Sequence, residues 1–231
     1  MLFQIDMVPQ DSLLAAQTAA EAAQEPMNLW QMAQYGGWIM VLLVVLLAIA
    51  VYLFVERLVV ISKAKKEDKS FMNKIKDYIH EGKIESAINL CQATDTPASR
   101  MVEKGISRIG RPMSDVLVAV ENVGNLEVAN LEKNLVILAT IAAGAPMLGF
   151  LGTVIGMVQT FYNMAASESG AIELSALSTG MYQAMVTTIG GLIVGILVIF
   201  AYNYLVARID SVVRQLEGRT MEFMDLLNEP A

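Results

Sequence analysis

Two stretches of this chain place hydroxyl, amide and glycine residues at helical spacing inside apolar sequence that contains no Asp, Glu, Lys, Arg or His. In PMLGFLGTVIGMVQTF (residues 146–161), Gly149, Thr153, Gly156 and Thr160 fall at i, i+4, i+7 and i+11, so on a helix they share one face. In TGMYQAMVTTIGGLIVG (residues 179–195), Ala184, Thr188, Gly191 and Gly195 repeat that spacing, each within about 40° of Ala184 on a helical wheel. Thr187 borders this second face, and Gln183 sits one turn before Thr187. Threonine and glutamine donate and accept hydrogen bonds, so these faces can hydrate a wall. They cannot hold and release a proton near neutral pH. From Asn134 to Ala207 the only acids are Glu168 and Glu173, and there is no Lys, Arg or His. A proton path through this region therefore needs a titratable group from another polypeptide. The same residues have a packing reading. Gly152/Gly156 and Gly191/Gly195 are small-xxx-small pairs that let helix backbones approach, and a membrane threonine often bonds its own i−4 carbonyl. Two such stripes on neighbouring helices shift the balance toward a polar, partly hydrated interior.

The elements that carry these stripes follow from charge and hydropathy. The chain has 231 residues, 55% of them hydrophobic, and a net charge of −7. All sixteen Lys and Arg residues lie either between Arg57 and Lys133 or at Arg208, Arg214 and Arg219. The basic-free zones hold three apolar stretches, each long enough to cross a hydrocarbon core of about 30 Å. Because positive flanks stay in the cytoplasm, the expected organisation runs as follows: an extracytoplasmic tail and interfacial segment (1–35), a first span (36–55), a cytoplasmic helical region (56–134), a second span (135–162), an outer loop (163–177), a third span (178–206) and a cytoplasmic C-terminal helix (207–231). The fold class expected is an all-α integral membrane protein with three transmembrane helices. The first span is rich in Leu, Val and Ile, with no polar residue until Tyr52, as suits a lipid-facing helix. Trp30, Tyr35 and Trp38 suit a headgroup-level anchor. Residues 1–25 lack a basic n-region and an unbroken apolar core, so they read as an outer tail rather than a signal peptide.

Segment 56–133 carries thirteen basic and twelve acidic residues, a mixture typical of solvated helix faces and too balanced for nucleic acid. Its signals predict short helices. Ser70 to Glu81 stops at Gly82. Ile84, Ala87, Ile88 and Cys91 share one face. Thr96-Pro97 caps and starts a third helix that closes near Gly110, and Ser114 can cap a fourth. That fourth helix meets no stop signal: Val116, Val120, Val123, Val128, Leu131, Leu135 and Leu138 continue one stripe into the second span, which Gly144 and Pro146 could bend. Ile209, Val212, Leu216, Phe223 and Leu226 extend the third span in the same way. Two long helices leaving the membrane are therefore expected. Cys91 and His80 are the only residues of their types. No disulfide, metal-ligand spacing, cofactor motif or catalytic grouping is expected.

Together, Pro146 with LGFLGTVIGM (148–157), QAMVTTIGGL (183–192) and Tyr202-Asn203, set in this topology, resemble the ExbB/TolQ/MotA family, closest to its ExbB and TolQ branch. The resemblance covers about residues 36–228. It implies a homo-oligomeric ring, generally a pentamer, in the bacterial inner membrane, with the N-terminus periplasmic and the second and third spans lining a central pore. An ExbD-like single-span partner inside the ring would supply an essential aspartate, and a TonB-like protein would carry force to the outer membrane for nutrient import. The family's threonines match Thr153 and Thr188; Thr187, Gln183 and Thr160 join them as pore-lining candidates. Pro146, Gly149, Gly152, Gly156, Ala184, Gly191 and Gly195 are expected to pack helices at the pore. The family's usual glutamate five residues before the second threonine is Gln183 here, which keeps the shape and loses the charge. The proline that often follows in the third span is absent, with Leu197 near its place. Alternatives are a TolQ-like envelope-maintenance motor, a MotA-like stator using Na+ or H+, and a non-conducting scaffold.

Overall fold

The structure, a computed structural model, describes residues 36–65, 70–166 and 174–228. The expected tail and the Trp30/Tyr35 anchor lie outside the described residues, as does the middle of the expected outer loop. Every regular element among the described residues is a helix: α1 Gly37–Lys65, α2 Phe71–His80, α3 Ile84–Thr94, α4 Pro97–Ile106, α5 Met113–Glu132, α6 Leu135–Ala166 and α7 Leu174–Asn228. Three are long and apolar enough to cross a membrane: α1, α6 together with α5, and α7. The protein is thus an all-α, multi-pass membrane protein.

The antiparallel hairpin of α6 and α7 is the spine, and it forms the most extensive helix pair in the molecule. Helix α1 lies along it, burying Ile39, Leu43, Ala50 and Leu53 and leaving Val41, Val44, Val45, Ile49 and Val51 exposed. An apolar helix with one packed side and one bare apolar side is what lipid permits and water does not. Trp38 is exposed in its first turn.

The short helices pack at the polar end. Gly82, at φ 71°, ends α2: the Gly82 amide donates to the Ile79 carbonyl and the Lys83 amide to Tyr78, the paired bonds of a Schellman stop that a left-handed glycine allows. Ala87 and Cys91 of α3 are fully buried, with Ile84 and Ile88 packed beside them. Thr96 caps α4 in a capping box with Ser99. Arg100 of α4 then clamps Glu127 of α5 with two bonds of 2.9 and 2.7 Å. That hydrogen-bonded carboxylate holds the guanidinium above its ordinary pKa range. The α7 extension buries Ile209, Val212, Leu216, Phe223 and Leu226, every position of its expected stripe. A Cβ at Gly105 would collide with the Phe223 ring, so the glycine is what lets α4 close over the α7 extension.

Two expectations are corrected. Pro112, not Ser114, occupies the N-cap position of α5, its carbonyl accepting from the Asp115 and Val116 amides. The helix leading into the second span is also not continuous. Lys133 (φ −50°, ψ 138°) turns out of the helix and Asn134 is left-handed at φ 66°, so α5 and α6 are separate rods joined end to end. Helix α6 continues through Gly144 and Pro146, whereas α7 runs unbroken for 55 residues.

Candidate functional site

The two stripes face each other. A Cβ at Gly149 would lie 2.9 Å from the Thr187 carbonyl oxygen and 3.0 Å from Gly191 Cα. One at Gly191 would lie 2.7 Å from the Ala145 carbonyl oxygen and 2.8 Å from Gly149 Cα. Gly152 sits against Thr187, Gly156 against Ala184, and Gly195 against the Pro146 ring. Helix backbones come this close only where one partner lacks a side chain, so these residues set the separation of α6 and α7.

The hydroxyls lie in and beside this seam. Thr187 is 2% exposed, and its Oγ1 donates to the Ala184 carbonyl at 2.7 Å. Thr188 is half-buried; its Oγ1 crosses the seam, donating to the Gly149 carbonyl at 3.3 Å. On α6, half-buried Thr153 donates to Phe150 at 2.6 Å and Thr160 to Gly156 at 2.7 Å. Each hydroxyl proton is thus engaged by a backbone carbonyl. The oxygen of a hydroxyl keeps acceptor lone pairs when its proton is donated, so Thr153 and Thr188 can accept a hydrogen bond from a protonated acid and have no proton to offer an ionised one without rearrangement. Gln183 is exposed, and its Nε2 rests over Gly37 at the start of α1.

Toward the loop end of the hairpin the seam opens into a groove of about 460 Å3 lined by Gly156, Gln159, Thr160, Asn163, Thr179, Gly180 and Gln183. It is roomy and polar enough for several waters. Gln159, Asn163 and Thr179 were not among the residues the stripe pattern selects. Their signal was present: Gln159/Asn163 and Thr179/Gln183 are amide or hydroxyl pairs at i, i+4 in a zone without Lys, Arg or His whose only acids are Glu168 and Glu173. Of the predicted residues, Gly156, Thr160 and Gln183 meet at this groove. Thr187 and the other predicted glycines lie inside the seam, and Thr153 and Thr188 lie at its partly open edge. Among the described residues no group of His, Cys, Asp or Glu could hold a metal ion.

The MotA/TolQ/ExbB proton channel family model matches residues 93–218, which take in most of the seam and the helices leading to it. The chain is 30% identical over 174 residues to a putative biopolymer transport protein ExbB homolog of Methanothermobacter thermautotrophicus, covering 74% of this chain and 61% of that protein. It is 26% identical to an ExbB-like protein of Synechocystis over 73% of this chain and 80% of that protein, and 32% identical to the Tol-Pal system protein TolQ of Haemophilus influenzae over 46% of each. In a membrane protein with three helices able to cross the bilayer, a family match over more than half of the chain establishes that the chain belongs to the MotA/TolQ/ExbB proton channel family.

Proposed function

We propose that this protein is the ring-forming subunit of a proton-driven motor in the bacterial inner membrane, working with an ExbD-like single-span partner to pull on a TonB-like protein for outer-membrane import. The observation that carries the reading is the pairing of accessible threonine oxygens with a helix hairpin whose only acids between Asn134 and Ala207 are Glu168 and Glu173 of the connecting loop region. Such a wall can receive a neutral carboxylic acid and has no side chain that holds and releases a proton near neutral pH. The partner's aspartate would therefore be the carrier. Protonated, it donates to the lone pairs of Thr153 or Thr188; ionised, it is held at the hydrated groove of Gln159, Asn163, Thr179 and Gln183 until it is reprotonated. Gln183 serves this role as a hydrogen-bonding group. The ring is a homopentamer whose second and third spans surround the partner helices. Positive flanks put the N-terminus in the periplasm and α2 to α5, with the α7 extension, in the cytoplasm.

The test is proton uptake by liposomes holding the purified complex of this chain with its partner. Thr153→Val and Thr188→Val complexes that assemble normally should conduct at least tenfold more slowly than wild type. Full-rate uptake by either assembled complex refutes the reading. A second reading, a non-conducting scaffold, draws on the seam itself, because glycines that pack one hairpin need no pore. It predicts no flux from the wild-type complex.

A further inference from the structure

Arg57 is the first basic residue after the first span. A cation there ordinarily snorkels toward headgroups and water. Lys63 and Lys65, further along α1, are exposed. Arg57 instead is 5% exposed, turned inward against the end of α5. Taking a guanidinium out of water is costly unless its donors are met, and here they are met incompletely. Nη2 pairs with Glu56 at 2.9 Å and Nη1 donates to the Asn130 carbonyl at 3.1 Å. Nε is buried with no partner.

The acceptor explains the position. In an unbroken helix the Asn130 carbonyl would receive the amide of Asn134, four residues on. Lys133 turns the chain away and Asn134 goes left-handed, so α5 ends at Glu132 and that carbonyl becomes one of the orphaned acceptors of a helix C-terminus. Arg57 supplies the missing donor, with its charge at the negative end of the α5 dipole. Leu131 and Leu135, on either side of the break, are both buried. The apolar face therefore does not by itself choose between a broken and a continuous rod. The cation is placed to make that choice, and its Nε, buried with no partner, leaves the guanidinium incompletely satisfied.

We propose that Arg57 is a positioning residue: a latch, reaching from the first span, that selects the broken α5–α6 joint, and whose release lets α5 and α6 fuse into one helix and changes how α6 is presented to its neighbours. This does not depend on which ion or partner the protein serves.

Hydrogen exchange on the full chain in lipid nanodiscs tests it, read at the Lys133 and Asn134 amides. Removing a merely structural contact speeds exchange. Removing the latch should slow it, because the fused helix gives Asn134 its Asn130 acceptor. Arg57→Gln is expected to slow exchange at Asn134 at least tenfold, with Arg57→Lys in between. Unchanged or faster exchange in Arg57→Gln overturns the proposal. Should Arg57→Gln fail to fold, Asn134→Ala reaches the same equilibrium from the other side, since alanine disfavours the left-handed joint. It should expose Arg57 to phenylglyoxal, raising its modification rate several-fold, and a wild-type rate overturns the proposal equally.

Discussion

The glycines of the seam are unequal, and the inequality is testable one residue at a time. A methyl at Gly191 meets backbone on the opposite helix at 2.7 and 2.8 Å, where nothing can rotate away. Gly191→Ala should therefore part the helices, at about 1–3 kcal/mol of stability, read as a lower thermal midpoint in detergent. Gly144, in the same helix as Gly149, has open space around it: a methyl there would find no neighbour within 4 Å. Gly144→Ala should leave the midpoint unchanged or raise it, since alanine favours the helix by up to about 1 kcal/mol. An equal loss from both substitutions would mean that the close approach at Gly191 is not what sets the hairpin's stability. At the polar end, burial pushes the Cys91 thiol up to about 12, with Glu103 adding to it. An unfolded cysteine titrates near about 8.5. Between those values the unfolded chain gives up a proton that the folded chain keeps, so this group's contribution to stability is intact below about pH 8.5 and falls as pH rises toward 12. Cys91 should resist iodoacetamide at pH 9 in the folded protein and react once the protein is denatured. Complete labelling of folded protein would show that the thiol is not enclosed.

Among the elements, the α7 extension depends most on a single side chain. Phe223 is fully buried and fills the space that Gly105 leaves open. Phe223→Ala should cost about 3–5 kcal/mol and release α4 from α7, seen as protease sensitivity near Gly110 while the spans stay intact; unchanged resistance would assign the docking to other contacts. Much of this level was legible in the sequence. The stripe from Ile209 to Leu226, the Gly82 stop and the Thr96-Pro97 start each carry their own local chemistry, and each was found where its residues placed it. The joint at Lys133-Asn134 was not legible, because no glycine or proline marks it and the apolar stripe crosses it in phase. Its determinant, Arg57, is remote in sequence. The seam was half legible: spacing says that Gly149, Gly156, Gly191 and Gly195 share faces, but it does not say which neighbour each face meets.

For the whole molecule, the exposed apolar surface is the governing fact. Met147, Phe150, Leu151, Val154, Val158 and Phe161 on α6, with Leu192, Ile193, Ile196, Leu197 and Phe200 on α7, stay exposed in a single chain. A surface of this extent requires lipid or protein against it. These side chains include no ionisable group, and on the proposed reading the proton carrier comes from the partner. Liposomes containing this polypeptide without a companion should hold an imposed pH gradient as long as empty ones, and rapid dissipation would place a carrier within the chain itself. The unbroken α7 adds a mechanical corollary. It contains no proline, and 55 residues at 1.5 Å each make a lever about 80 Å long. Pivoted at one end, a 10° tilt sweeps the far tip through roughly 14 Å on that length. A small lean among the lipids would thus arrive at Asp225 as a displacement wider than a helix.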